Sequence, residues 1–466
     1  MQIPVLNGIY TDEDSDFRTS YPRNLIPVPK EQGISQGYLR PADGIEPFGV
    51  GPGVDRGAIN WNSVCYRVMG TKLVIVNPDG SHTILGDVGG SGQVTLDYSF
   101  DHLAITSSGN LYLWDGTTLQ QNTDADLGTV LDHIWIDGYF MTTDGEFLVV
   151  TELNNPFAVN PLKYGSSEVD PDPVYGLLKL RNEAYAVNRY TIESFDNIGG
   201  SLFPFERIPG AQIQKGAIGT HAACVFVEAI AFLGSGRKES PAVYLGINGS
   251  ATPISTREID QILQEYTEVE LSQVVLEARA DKGHQHLWVR LPDQTLVYDA
   301  AASQVVGEPV WFTLTTSITE KGQYRAQNLV WCYDKWLVGD PTSSNHGQLT
   351  SSVSSHYGDV IGWDFGTTII YNESLGALFH ELELICLSGR AELGEDPTIW
   401  TQYSLDGETW GQEKSIKAGK QGERNKRLVW LQQGSMRNWR IQRFRGTSDA
   451  HLSIARLDAR IEPLNV

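Results

Sequence analysis

The sequence predicts a mainly β fold: an irregular β-propeller of about six or seven blades with a short helical insertion, followed by a C-terminal β-sandwich-like domain. Three observations carry this reading. Asp-Gly and Asn-Gly turns recur between short alternating runs, Gly (47), Trp (12) and Tyr (19) are plentiful while Met (4) is scarce, and the strands lengthen past residue 355. β-branched and aromatic residues suit a pleated, half-buried surface, and glycine suits the tight turns that join strands.

Residues 1–50 precede the repeats and are read as an extended N-terminal arm. Residues 51–354 are read as the propeller. There Asp79-Gly80, Asp115-Gly116, Asp144-Gly145 and Asn248-Gly249 each separate two alternating runs, and such pairs tolerate the positive φ that two-residue hairpins need. The first three lie roughly 30–40 residues apart, near the length of one four-stranded blade. The β rhythm breaks at about 255–278, in PISTREIDQILQEYTEVELSQVVLEARA. Ser255-x-x-Glu258 and Thr267-x-x-Glu270 fit the capping box, and Ile259, Ile262, Leu263 and Tyr266 share one helical face, so two short helices are expected. HLWVRLPDQTLVYDAAASQ then reads as a return to strand, with Pro292-Asp293 as a turn.

Residues 355–466 read as about six to eight longer alternating strands. They are also the basic part of the chain. Between Lys414 and Arg460 lie about a dozen Lys and Arg, among them Arg424, Lys426, Arg427, Arg437, Arg440, Arg443 and Arg445. That asymmetry makes these seven a candidate protein-docking face; the plainer alternative is a solvated strand surface.

The stretch GDVGGSGQV (86–94) has the glycine density of a phosphate-binding loop. A phosphate cradle should open a helix and carry a Lys with a Ser or Thr; here no Lys follows and the next residues read as strands. Gly86, Gly89, Gly90 and Gly92 are therefore assigned to a structural turn. His284-Gln285-His286 puts two imidazoles on one strand face, a geometry some metal sites use, but no third ligand can be named and a structural or exposed pair is favoured. Ser404-Leu405-Asp406-Gly407 resembles the hairpin-bracing Asp-box of sialidase-type propellers, and Glu381 with Glu383 share a strand face. No nucleophile elbow, HExxH or P-loop occurs, so no catalytic, cofactor or metal site is nominated.

A net charge of −22 opposes a main task of gripping nucleic acid. Cys65, Cys224, Cys332 and Cys386 are far apart without zinc spacing, which fits reduced thiols in a cytoplasm. MQIPVLNGIYTDEDSD lacks a basic start and an apolar run, and no apolar stretch is long enough to span a bilayer, so neither a signal peptide nor a membrane span is expected.

GYLRPADGI (37–45), VCYRVMGTKL (64–73), GDVGGSGQV (86–94), QKGAIGT (214–220), SATPISTREI (250–259), LVYDAAASQ (296–304) and SLDGETWGQE (404–413) stand in one order along the chain. In that order they resemble the packaged-DNA stabilisation proteins, or tail hubs, of lambdoid short-tailed phages, most specifically from Gln214 to Gln304. The resemblance implies a non-enzymatic virion protein, assembled in the host cytoplasm into the tail. It further implies a homo-hexameric tube beneath the portal and its adaptor, which closes the channel after packaging. The tube would carry a needle or plug and tailspikes or fibres, and pass DNA through its lumen without specific binding; no cofactor is implied. An acidic lumen would let phosphates slide past where a basic wall would hold them. Two other readings stay open: a propeller-fold glycan-binding protein or glycosidase, and a nucleic-acid binder using the basic tail.

Overall fold

A computed structural model describes residues 2–3, 21–30, 37–319, 321–372, 375–391, 393–407 and 409–464. Among them, seven antiparallel sheets of four or five strands follow one another as blades: 55–87, 95–121, 132–166, 174–207, 216–253, 275–314, and 327–350 completed by Gly44–Val50. The first strands of successive blades touch around a ring, and Gln327–Cys332 of blade 7 returns against Asp55–Trp61 of blade 1. In blade 5 that position is shared by Gly216–Ala217 and Ala223–Phe226, which pair with the two ends of Ala229–Ser235.

Side chains point alternately to the two faces of a strand, and inner strands such as Leu103–Ser107 and Ala229–Ser235 are buried on both, so the core is a ring of small cores between blades. Trp61, Val68, Leu73, Leu103 and Trp114 fill the space between blades 1 and 2; Ile134, Leu148, Leu177 and Phe195 that between blades 3 and 4. Two-residue hairpins with both turn residues at positive φ and paired residues directly flanking them include Asn62-Ser63, Asp137-Gly138, Asn248-Gly249 and Lys282-Gly283. Asp79-Gly80, Asp115-Gly116 and Asp144-Gly145 also end hairpins, but in longer connections. Their carboxylates brace the loop: Asp115 Oδ1 accepts the amides of Thr117 and Thr118 at 2.7 Å, and Asp144 Oδ1 those of Glu146 at 2.9 Å and Phe147 at 2.7 Å.

The helical insertion is shorter than its sequence pattern. Helix α1 spans Arg257–Gln264 and α2 Glu268–Leu271, and strand resumes at Val275. Thr267 and Glu270 make both halves of a capping box. The first cap is Thr256, one residue beyond the expected Ser255, whose hydroxyl instead accepts the Val243 amide at 3.2 Å. A third helix, α3 (Ala300–Val306), occupies a stretch read as strand: Asp299 caps its start and Gly307, at φ 84°, ends it.

Beyond blade 7, two sheets face each other. One runs Leu25–Pro29, Gly37–Pro41, Ser453–Pro463, Ala377–Leu387, Leu428–Leu431; the other Gly362–Gly366, Trp439–Thr447, Thr398–Ser404, Lys414–Lys417. Phe365, Phe379, Ile399, Trp430 and Phe444 fill the space between them. The segment expected to be an N-terminal arm is thus structural over much of its described length. Its strands at 25–29 and 37–41 belong to the sandwich, and Gly44–Val50 pairs with Asn345–Thr350 and closes the propeller, so these sheet edges are covered from within the chain.

Candidate functional site

The sequence-nominated residues fall into four places. The glycine-rich connection between blades 1 and 2 is a cradle of opposite polarity to a phosphate loop. Carbonyls line it, and they hold the buried Arg56 guanidinium: Nε donates to Gly92 O at 2.6 Å, and Nη1 to Gly89 O at 2.8 Å and Gly70 O at 2.9 Å. Nη2 reaches the Ser107 hydroxyl at 2.8 Å, which itself donates to Gly89 O. Gly89, Gly90 and Gly92 take φ of 61°, 72° and 83°, turning the carbonyls inward. A Cβ on Gly90 would run into the Ser108 hydroxyl, whereas Gly92 faces open space. Gly86 is not a turn residue: it lies in the strand His82–Asp87, where a Cβ would press on Leu119.

The seven basic residues do not form one face. Trp439–Thr447 alternates, so Arg440 points to the opposite side from Arg443 and Arg445. Arg440 is fully buried between the rings of Phe379 and Tyr403, 4.2 and 3.9 Å from their centroids, and donates to Gln433 O and Gln442 Oε1. Burial pushes its guanidinium down to about 10. Arg445 grips Glu413 with two hydrogen bonds at 2.5 and 2.6 Å, and Arg443 lies 3.6 Å from Asp364. On the other sheet Arg427 grips Glu383 in the same forked way and reaches Glu381 at 3.5 Å, which accounts for that acidic pair. Lys426 lies 3.6 Å from Glu423. Arg424 and Arg437 are exposed, and the register of Ala377–Leu387 separates Arg427 and Arg437 to opposite ends of one strand.

Sequence reasoning missed the joint between propeller and sandwich. Leu25 enters the sandwich core, and Ile26, the next residue and so the other face of the strand, enters the core between blades 6 and 7. Arg23 Nε donates to Asp364 Oδ2 at 2.6 Å, and its Nη1 to Thr315 Oγ1 and Ser317 O. Asn24, at φ 56°, donates to Thr315 O and Gly362 O and accepts the Thr315 amide. LIPVP carries the signal as a short apolar run without alternation, the mark of a strand covered on both faces.

Acidic residues inside the ring tie blade to blade. Asp97 accepts the Trp135 amide at 2.6 Å, Asp132 the Leu177 amide at 2.7 Å and the Thr95 hydroxyl at 2.6 Å, and Glu277 the Leu329 amide at 2.8 Å. At the closing seam Asp55 takes the Arg67 guanidinium at 2.9 Å and the Asn328 amide group of blade 7 at 2.5 Å, with both ion-pair side chains fully buried. Burial raises Asp132 to about 7, against the hydrogen bonds that favour its ionised form.

The structure supplies what the sequence lacked beside His284 and His286: Asp299 lies directly across from His286 in the neighbouring strand. His284 Nδ1 is 2.5 Å and His286 Nε2 3.4 Å from Asp299 Oδ2. Burial pushes Asp299 up, but the two imidazoles beside it, with His284 hydrogen-bonded to Oδ2, outweigh it and hold the carboxyl below its ordinary value. In the Asp-box-like turn the Ser404 hydroxyl and Asp406 carboxylate accept the Gly407 and Thr409 amides, which braces a hairpin.

Comparison with known proteins adds to this geometry. The family described as bacteriophage P22 Gp10, β-propeller, matches residues 1–354, and that described as P22 Gp10, β-sandwich, matches residues 362–462. The tail hub protein gp10 of Salmonella phage P22 is 29% identical over 460 residues, 94% of each chain. Among solved structures, the WD40 domain of Neurospora crassa Pan2 is similar with a TM-score of 0.43 and 10% identity, over 66% of this chain and 96% of its own. BamB from Moraxella catarrhalis gives 0.39 and 12%, over 75% and 98%. These two likenesses carry no argument about function.

Proposed function

The chain belongs to the bacteriophage P22 Gp10 family, and from that premise we propose that it is the tail hub of a short-tailed phage, a structural protein of the virion tail. The observation that carries this reading is the collinear relationship to a tail hub protein over 94% of both chains, spanning propeller and sandwich together. A ring closed by its own N-terminal segment and fastened to a second domain suits a load-bearing part: the joint at Arg23, Asn24 and Leu25 fixes one domain against the other.

In the finer reading, six copies form a tube under the portal and adaptor, hold back packaged DNA, and receive the needle or plug and the spikes or fibres. Heterologous contacts around a six-fold axis close such a ring. The protein acts without catalysis. With a net charge of −22 it presents DNA with a surface that repels phosphate, so the genome moves past without attachment. Exposed Arg424 and Arg437 remain available for docking to acidic subunits, where charge sets orientation and on-rate.

DNA-filled heads bearing portal and adaptor test the closure. Added protein should keep the DNA inaccessible to nuclease, and Arg437→Glu should slow the attachment of the protein to the heads. Equal nuclease sensitivity with and without the protein would contradict the closing role.

A further inference from the structure

We propose that His284, His286 and Asp299 form a structural site for one borderline divalent transition-metal ion, with Zn²⁺ the ion that fits best. His284 and His286 stand two residues apart on one face of the strand His284–Arg290, and Asp299 ends the neighbouring strand opposite His286. One donor atom from each lies within 4.8 Å of the others. Ligands about 2.0–2.2 Å from a tetrahedral ion sit about 3.4 Å from one another, so small rotations bring the three into place around an ion.

Two further features favour an ion over a closed hydrogen-bond network. His286 Nε2 is buried without a hydrogen-bond partner, although it faces Asp299 Oδ2 at 3.4 Å; a buried polar atom left so is costly and calls for an explanation. The other oxygen, Oδ1, is already held by the amides of Gln285 at 3.3 Å and Ala302 at 3.2 Å. Those bonds orient the carboxylate and turn Oδ2 toward the imidazoles, as outer partners do for metal ligands. Two imidazoles with one carboxylate select zinc-like ions over Ca²⁺ or Mg²⁺, which take oxygen ligands.

The His286 and Asp299 side chains are 3% and 0% exposed and that of His284 11%, so the ion enters from the His284 side and water completes its coordination. Asp299 also caps α3, which packs on the strand Leu25–Pro29. The ion would therefore fasten blade 6 to the helix beneath the propeller–sandwich joint. The role is structural, and the site rests on none of the family comparisons.

Full-length protein stripped with chelator and titrated with Co²⁺ tests this. One equivalent should bind with the visible ligand-field bands of a low-coordinate ion, Zn²⁺ should displace it, and the ion should raise the Tm. His284→Gln, at the rim of the site, should keep the fold in chelator, by circular dichroism, and lose at least about a hundredfold in Co²⁺ affinity. No saturable uptake by the stripped wild type at micromolar Co²⁺ would overturn the proposal. So would uptake that both His284→Gln and His286→Gln leave unchanged.

Discussion

The propeller and the sandwich spend their charged residues differently. In the propeller, buried and half-buried carboxylates on the inner strands reach across to the next blade: Asp97, Asp132 and Glu277 accept neighbouring amides, and Asp55 closes blade 1 on blade 7. In the sandwich, Arg427 and Arg445 pair with carboxylates of their own domain near solvent, and Arg440 is stacked between aromatic rings in the core. A ring of blades has no single core to hold it shut, so directional bonds between sheets add closure to apolar packing. Two facing sheets share one core and need no such ties. Some of each region's charged residues are thus interior parts: Asp55 and Asp132 in the ring, and Arg440 in the sandwich.

Substitutions can break that contrast, beginning with the seam. Asp55→Ala leaves the Arg67 guanidinium buried without its carboxylate and should cost about 3–5 kcal/mol in urea unfolding. Arg440→Ala removes a stacked side chain and leaves Gln433 O and Gln442 Oε1 without their donor; the expected loss is about 2–4 kcal/mol. Gly90→Ala forces a side chain into a left-handed residue against Ser108 and should cost about 2–3 kcal/mol, against about 1–2 for Gly92→Ala, which meets open space. Unfolding midpoints of the two variants test the order.

A pH series reads the same contrast more finely. Folding raises the Asp132 carboxyl from 3.8 to about 7, so the folded chain binds the extra proton. The resulting stabilisation is full below the ordinary value and is lost as pH rises through about 7. Wild type should therefore lose stability between about pH 4 and about pH 7 relative to Asp132→Asn, with a slope of at most about 1.4 kcal/mol per pH unit. Arg427→Ala, at an exposed pair, should leave the unfolding midpoint unresolved from wild type.

Much of this architecture is legible in the residues, through local signals. Asn248-Gly249 reads directly as a two-residue hairpin, and Thr267-x-x-Glu270 as a capping box that forms in full. Helix α3 carried its own marks, Asp299 before three alanines and Gly307 after, but a strong strand pattern before it hid them. Parity along Trp439–Thr447 already separated Arg440 from Arg443 and Arg445. The carboxylates paired with Arg445 and Arg427 were not legible, since Glu413 and Glu383 lie 32 and 44 residues away from them. Asp299 beside the two histidines, Gly44–Val50 in blade 7, and the carbonyl cradle around Arg56 likewise depend on distant strands meeting. Periodicity fixes a residue's face; register between sheets fixes its partner.

Electron microscopy of the purified protein mixed with portal–adaptor complexes tests the hub reading most directly. The account predicts six-fold density below the adaptor, into which the seven-bladed ring and the sandwich fit as one body in each copy. Complexes unchanged by the protein, or density without six-fold order, would contradict it.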